Sequence, residues 1–280
     1  MRIVEKYLSE NKSIRLRGYL FEPQGIQTKA WTPEKRPAVL ILPGGYYMYC
    51  SQREADPVAV SFVQKGYQAF ILEYSCGKES EYPTPLLEVS EAVSCIKENA
   101  DDFLVDTENI TLAGFSAGGH LALTYGSSFF REEFQEISAK TEEQLAVSKI
   151  IAAYPVANLK ALYERTKDVV DAEGKVGEMF TTYETRRDPI ALLDQKMPKT
   201  FLFTTLEDKL IPASDTVEYV KKAAEQGIDI EFHLFHNGNH GLSTGDDLAN
   251  YGRDYPERVG KWMDLAFSWL EEELKNSVKV

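Results

Sequence analysis

Residues 114–118 read Gly-Phe-Ser-Ala-Gly, a serine with a glycine two positions to either side. A serine turned outward between a strand and a helix takes a strained backbone conformation. Side chains two positions before and after it would collide across so tight a turn. In a chain with 18 glycines the pentapeptide alone is a weak signal, and its setting is what strengthens it. The run Asn109-Ile110-Thr111-Leu112-Ala113 before it is short, apolar and partly β-branched, while Ala117 to Tyr125 after it is rich in Ala, Leu and Gly. Strand, serine, helix is the order expected if Ser116 is an exposed nucleophile.

A serine hydroxyl is a poor nucleophile until a base takes its proton, and that base needs an acid to orient it. The chain has four histidines. His120 follows Ser116 by one helical turn, too close in sequence to swing over its hydroxyl, and is expected in local packing or hydrogen bonding. His233 falls on the polar face of an alternating strand, and His236 ends that strand, which restrains it. His240 sits in the glycine-flanked loop His236-Asn237-Gly238-Asn239-His240-Gly241. It is the expected base, with His236 second. The orienting acid should follow another strand and precede the histidine, where Glu207 and Asp208 stand just beyond Phe201 to Thr205. Adjacent residues point in different directions, so one of the two faces His240, and the residues alone leave the choice open.

Acyl transfer also places negative charge on a carbonyl oxygen, and preorganised backbone N–H donors hold it. Loss of one such donor typically costs about 3 kcal/mol. Leu42-Pro43-Gly44-Gly45-Tyr46-Tyr47 directly follows an apolar strand, and glycine lets a backbone approach a substrate closely. Gly45, Tyr46 and Ala117 are the expected donors, although a plain Pro-Gly turn would read the same.

These residues need a scaffold, and the 280-residue chain is long enough to bury a sizeable core. Hydrophobic residues make up 43% and charged residues 27%, a soluble globular profile. A formal charge of -13 argues against nucleic acid, anionic membrane surfaces and polyanionic substrates as partners. The N-terminal MRIVEKYLSENKS lacks an apolar h-region, and the three cysteines have no metal-like spacing. A cytoplasmic location with free thiols is the expectation, and a homo-oligomer is left open.

Strands are expected near 3–8, 14–21, 38–42, 69–72, 110–113, 150–154, 201–205 and 228–235, most of them continuous apolar runs suited to a sheet covered on both faces. The last alternates, which predicts an edge position. Helices are expected over roughly 56–65, 86–99, 117–129 and 214–226, the last closed by Gly227, with a C-terminal helix placing Trp262 and Trp269 in the core. The order predicts a mostly parallel α/β sheet in one domain spanning 1–280. The segment 157–198, with Tyr163, Val169-Val170, Met179-Phe180 and Tyr183, breaks the alternation. It is read as an insertion over the carboxyl ends of the strands, or as ordinary surface helices.

Three blocks, Pro37 to Tyr74, Asn109 to Ala122 (NITLAGFSAGGHLA) and Thr200 to Leu242 with EDKLIP and FHNGNHGL, together resemble the α/β-hydrolases. The likeness is to the acetyl-esterase and acetylxylan-esterase-like branch related to the hormone-sensitive-lipase group. The resemblance implies an eight-stranded, mostly parallel sheet with helices on both faces and 157–198 as a small cap. It implies Ser116, Asp208 and His240 as catalytic triad, in the chain order that fold uses, and so favours Asp208 over Glu207. It also implies a carboxylic ester hydrolase without metal or organic cofactor, acting on short acyl esters, acetyl above all, with an acetylated sugar or xylo-oligosaccharide as the small-molecule partner. Lipase-type relatives carry His-Gly-Gly-Gly where this chain has Pro43-Gly44-Gly45-Tyr46, which leaves open whether Gly45 or Tyr46 is the second donor. Tyr46 and Tyr47 are expected to touch the substrate and narrow the acyl pocket. The alternatives are a peptidase or amidase using the same three residues, and a hydrolase fold that only binds a ligand.

Overall fold

In the computed structural model, which describes residues 1–10, 13–22, 35–166 and 187–277, eight strands form one sheet in the order β1-β2-β4-β3-β5-β6-β7-β8. They are β1 (Arg2–Tyr7), β2 (Arg15–Leu20), β3 (Arg36–Leu42), β4 (Gln68–Glu73), β5 (Val105–Phe115), β6 (Lys149–Ala153), β7 (Lys199–Thr205) and β8 (Ile230–Phe235). β1 pairs antiparallel with β2, and β2 with β4, while every neighbouring pair from β4 across to β8 is parallel. The expected mostly parallel eight-stranded sheet is what the chain forms.

The helices named below are α1 (Asp56–Gln64), α2 (Thr84–Glu98), α3 (Ala117–Gly126), α4 (Glu132–Ser138), α5 (Leu159–Thr166), α6 (Ala213–Glu225) and α7 (Lys261–Ser277). A continuous apolar strand still alternates its side chains between two faces. In β3, Ala38, Leu40 and Leu42 pack with residues of α2 and α3 on one side. Val39 and Ile41 pack with Val58 and Phe62 of α1 and with Trp262, Phe267 and Trp269 of α7 on the other. Covering both faces is what allows every side chain from Ala38 to Leu42 to be apolar and buried. β8, the strand with the alternating pattern, is the edge, and most of its residues are half-exposed.

Several boundaries differ from the sequence expectation, among them the end of α3 at Gly126 and the starts of β3 at Arg36 and β7 at Lys199, and two of the differences have a visible cause. β5 begins at Val105, because Arg36 pairs with Val105 across an irregularity before the register resumes at Ala38 and Ile110. β8 begins at Ile230, because Ile228 belongs to the end of α6. Gly227 has φ +71°, its N–H donates to Ala224, and the Ile228 N–H reaches back to Ala223. This double bond closure satisfies the terminal carbonyls of the helix. Of the expected cap, α5 and the one-turn helix Pro189–Ala191 are described, and residues 167–186 lie outside the described residues.

The topology also locates a crevice. From β3 the chain steps to β4 on one side and then crosses to β5 on the other. Loops leaving adjacent strands toward opposite sides part at their carboxyl ends, and ligands of open α/β sheets bind there. The loop after β3 begins at Pro43, and the residue after β5 is Ser116.

Candidate active site

Ser116 sits between β5 and α3 with φ 52° and ψ -114°, a conformation an L-residue holds only when its surroundings impose it. Its N–H donates to the Ala153 carbonyl at the end of β6, and its own carbonyl accepts from His120 N–H, both at 3.0 Å. The flanking glycines are required by close approach. A Cβ on Gly114 would fall on the carbonyl oxygen of Gly118, and one on Gly118 would fall on that of Leu42.

The three residue types expected around this turn come together. Ser116 Oγ lies 2.7 Å from His240 Nε2, and His240 Nδ1 lies 2.7 Å from Asp208 Oδ2. A carboxylate only accepts, so His240 Nδ1 carries the proton and donates it to Asp208. Nε2 is then a bare lone pair that accepts from the Ser116 hydroxyl. The Asp208 side chain has no exposed surface, and its Oδ1 accepts the N–H groups of Leu210 and Ile211 at 2.9 Å each. Every lone pair direction used there is satisfied, which holds the acceptor in place.

Glu207, the sequence competitor of Asp208, turns the other way. It accepts from Gly238 N–H at 3.1 Å and from Asn237 Nδ2 at 3.3 Å, and so shapes the loop that carries His240. Thr205 Oγ1 donates to Gly238 O at 2.6 Å, and Gly238 has φ 137° with no room for a Cβ beside Leu242. His236 is exposed at the end of β8. His233 bonds to Glu231 at 2.7 Å, with its ring against Phe201.

The loop after β3 supplies the other half of the site. Gly45, Tyr46 and Tyr47 all have positive φ, at 130°, 59° and 62°. The Gly45 carbonyl accepts from Met48 and Tyr49, and that of Gly44 accepts from Ser51. Among the described residues the N–H groups of Gly45, Tyr46 and Ala117 donate to no other part of the chain. The N–H of Ala117 also opens α3, where the helix dipole favours negative charge. Tyr46 is half-buried. Burial first, then the charges of Tyr49, Asp208 and Glu54, pushes its phenol above the ordinary range, so it stays a neutral hydroxyl near the site.

Tyr47 is placed differently from Tyr46. It is 7% exposed, its hydroxyl lies 2.6 Å from His120 Nδ1, and its ring stands edge-on to Tyr74 and His120. His120 Nε2 lies 2.9 Å from the carbonyl of Arg187, an acceptor, so Nε2 carries the proton and Tyr47 donates to Nδ1. A cavity of about 20 Å³ beside them, lined by Tyr47, Tyr82, Leu86, His120 and Thr124, has room for about one water. Tyr47 thus anchors the loop to α3 by its hydroxyl.

Three residues that sequence reasoning did not select stand against the site. Tyr154, just past β6, packs its ring edge-on to the His240 imidazole at 5.0 Å. Its hydroxyl accepts from Ser243 N–H at 2.8 Å and donates to Glu54 Oε1 at 2.7 Å. Glu54 is 4% exposed, and its Oε2 accepts from Gly44 N–H at 2.9 Å. No sequence signal marks them. Glu54 lies in a charged run that reads as solvated, and Tyr154 in a strand end that reads as core.

A doubly wound sheet with a strained serine between strand and helix at its switch point defines an α/β-hydrolase. The chain belongs to the BD-FAE family, whose model matches residues 25–223, a stretch that holds Gly45, Ser116 and Asp208 and ends before His240. It is similar in structure to MGS-M1, an α/β-hydrolase enzyme from a Medee basin deep-sea metagenome library, at 32% identity and a TM-score of 0.76, covering 98% of each chain. It is similar also to the carboxylesterase Cest-2923 of Lactobacillus plantarum WCFS1, at 25% identity and a TM-score of 0.84, again over 98% of each chain. Among curated proteins it is 26% identical over 223 residues to endo-1,4-beta-xylanase B of Butyrivibrio fibrisolvens, 76% of this chain and 33% of that protein. The chain spans a third to under half the length of the first curated relatives it matches.

Proposed function

We propose that the protein is a serine carboxylic ester hydrolase acting on short acyl esters, acetyl esters above all, through an acyl-serine intermediate. The observation that carries the reading is the unbroken relay from Ser116 Oγ through His240 to the buried Asp208, with 2.7 Å at each step. His240 Nε2 takes the proton of Ser116 as Oγ attacks the ester carbonyl. Asp208 faces the imidazolium that forms and keeps the ring in the tautomer that can accept. The carbonyl oxygen, now negative, is met by the N–H groups of Gly45 or Tyr46 and of Ala117. His240 then returns its proton to the departing alcohol. In the second half it takes one from water, the resulting hydroxide attacks the acyl carbonyl, and Ser116 recovers its proton as the acid leaves.

A short acyl group suits a loop in which Tyr46 stands half-buried at the site, close enough to Asp208 for that carboxylate to raise its phenol, while Tyr47 is turned away onto His120. Carboxylesterase and xylan-directed names among the relatives support an ester of a xylan-derived sugar as the natural alcohol side. The test is hydrolysis of p-nitrophenyl acetate, butyrate and octanoate by the wild type and Ser116→Ala. Acetate turnover that falls with chain length and is lost in the variant is expected. Equal turnover by wild type and variant would remove the nucleophile, and faster cleavage of the matching anilides than of the esters would make the protein an amidase.

A further inference from the structure

Glu54 stands where a carboxylate is costly. It is buried, and among the described residues it meets no lysine or arginine. The neighbouring Arg53 guanidinium is turned away onto the Ala249 carbonyl and the Asn250 side chain. A buried charge without a counter-ion is tolerated when hydrogen bonds satisfy it, and the two donors that satisfy this one belong to the two halves of the site. Oε2 takes the N–H of Gly44, the residue before the strained turn of the oxyanion loop. Oε1 takes the hydroxyl of Tyr154. The fit at Gly44 is close, since a Cβ there would stand 2.7 Å from Glu54 Oε2 and 3.0 Å from Ser116 Cβ.

From Tyr154 the connection runs to the base. Its ring braces the His240 imidazole and its hydroxyl holds the N–H of Ser243, three residues further on. Ser243 in turn donates its Oγ to the carbonyl of Arg53 at 2.6 Å and accepts Trp262 Nε1 on its own carbonyl at 2.9 Å. The circuit closes on the one-turn helix Gln52–Glu54 where it began. Burial, and then the adjacent carboxylate, holds the Tyr154 phenol well above its ordinary range, so it remains a donor to Glu54.

We infer that Glu54 is a positioning residue: through Gly44 on one oxygen and Tyr154 on the other, it fixes the oxyanion loop and the general-base loop relative to one another. It touches no reacting atom. The inference rests on the serine-hydrolase reading, and it adds that donor and base are set in a common frame by one side chain.

The experiment is steady-state hydrolysis of p-nitrophenyl acetate by wild type, Ser116→Ala, Glu54→Gln, Glu54→Ala, Tyr154→Phe and the Glu54→Gln/Tyr154→Phe double variant, each with a thermal melt. The amide of glutamine serves one of the two donors with its oxygen and opposes the other with its N–H. Glu54→Gln is expected to lower kcat by about 10- to 100-fold with KM within about 3-fold, the pattern of an interaction needed in the transition state rather than for binding. Glu54→Ala is expected to fall further, so that glutamine gives partial rescue. Tyr154→Phe should lower kcat in the same way, and the double variant should lose less than the product of the single losses, as members of one network do. A folded Glu54→Gln with wild-type kcat would overturn the inference, as would single losses that simply multiply. If Glu54→Gln does not fold, Tyr154→Phe carries the same test, and wild-type kcat there would overturn it. Activity missing from the wild type, or kept by Ser116→Ala, would remove the hydrolase reading and this inference with it. A dead Ser116→Ala beside an unimpaired Glu54→Gln would remove the inference alone.

Discussion

Among the described residues seven non-glycine residues have positive φ, and five of them, Tyr46, Tyr47, Ser116, Tyr154 and Ser243, stand at the candidate site. The other two, Leu104 and Ala139, end short helices in the left-handed conformation usual there. Each such residue costs about 1–3 kcal/mol, so the site holds strain that the packing around it must offset. The adjacent carboxylates show how one position decides chemistry. Asp208 faces His240, and Glu207 faces the backbone of the loop that carries it. Asp208→Asn removes the acceptor that sets the His240 tautomer, so kcat on p-nitrophenyl acetate is expected to fall by about 10⁴-fold with the fold intact by circular dichroism. Glu207→Gln keeps an acceptor for Gly238 N–H, and a loss below about 10-fold is expected. The opposite ranking in steady-state assays would exchange the two roles.

At the level of elements, the loop from Pro43 to Ser51 is fastened at several points, while among the described residues the N–H groups of Gly45 and Tyr46 meet no partner in the chain. Gly44 is held by Glu54, Tyr47 by His120, and the Tyr47 carbonyl by Gly77 N–H at 2.7 Å. Tyr46 has no such side-chain anchor described, and its φ of 59° would suit glycine. Tyr46→Gly is therefore expected to leave stability within about 1 kcal/mol in a denaturant melt, since relief of strain offsets the added freedom of the unfolded chain. On the proposed esterase reading the same change widens the acyl side. The ratio of butyrate to acetate kcat/KM should rise by about 10-fold, the usual worth of room for a methylene or two. An unchanged ratio would place the acyl group away from Tyr46.

Across the whole molecule the net charge of -13 opposes the approach of anions and leaves neutral solutes unaffected. A neutral ester should react with kcat/KM independent of ionic strength. An ester of an anionic acid, such as a p-nitrophenyl hemisuccinate, should gain several-fold between about 0.01 and 0.5 M salt, as screening shortens to a few ångströms. Equal salt response for both esters would mean that the charge lies away from the approach. No helix among the described residues is long and apolar enough to cross a membrane.

The continuous apolar runs determined the parallel sheet, because they record strands covered on both faces. The alternation of Ile228 to Phe235 pointed to an edge, and β8 is one, although its exposed residue is the apolar Leu234. Gly114 marked the turn because its collision with Gly118 is local, whereas Gly118 is held to glycine by the carbonyl of Leu42 on a neighbouring strand. The capture of Ile228 by Ala223 is local to the helix end that Gly227 marks, whereas the early start of β5 depends on a distant partner, Arg36. The residue-level tie between Glu207 and Asp208 was of the same kind, since direction at a strand end is set by what the next loop offers. Glu54 was illegible for the strongest reason. A glutamate in Ser-Gln-Arg-Glu-Ala-Asp reads as solvated, and only the tertiary structure, by bringing Gly44 ten residues before it and Tyr154 a hundred residues after it onto its two oxygens, makes burial of that charge tolerable.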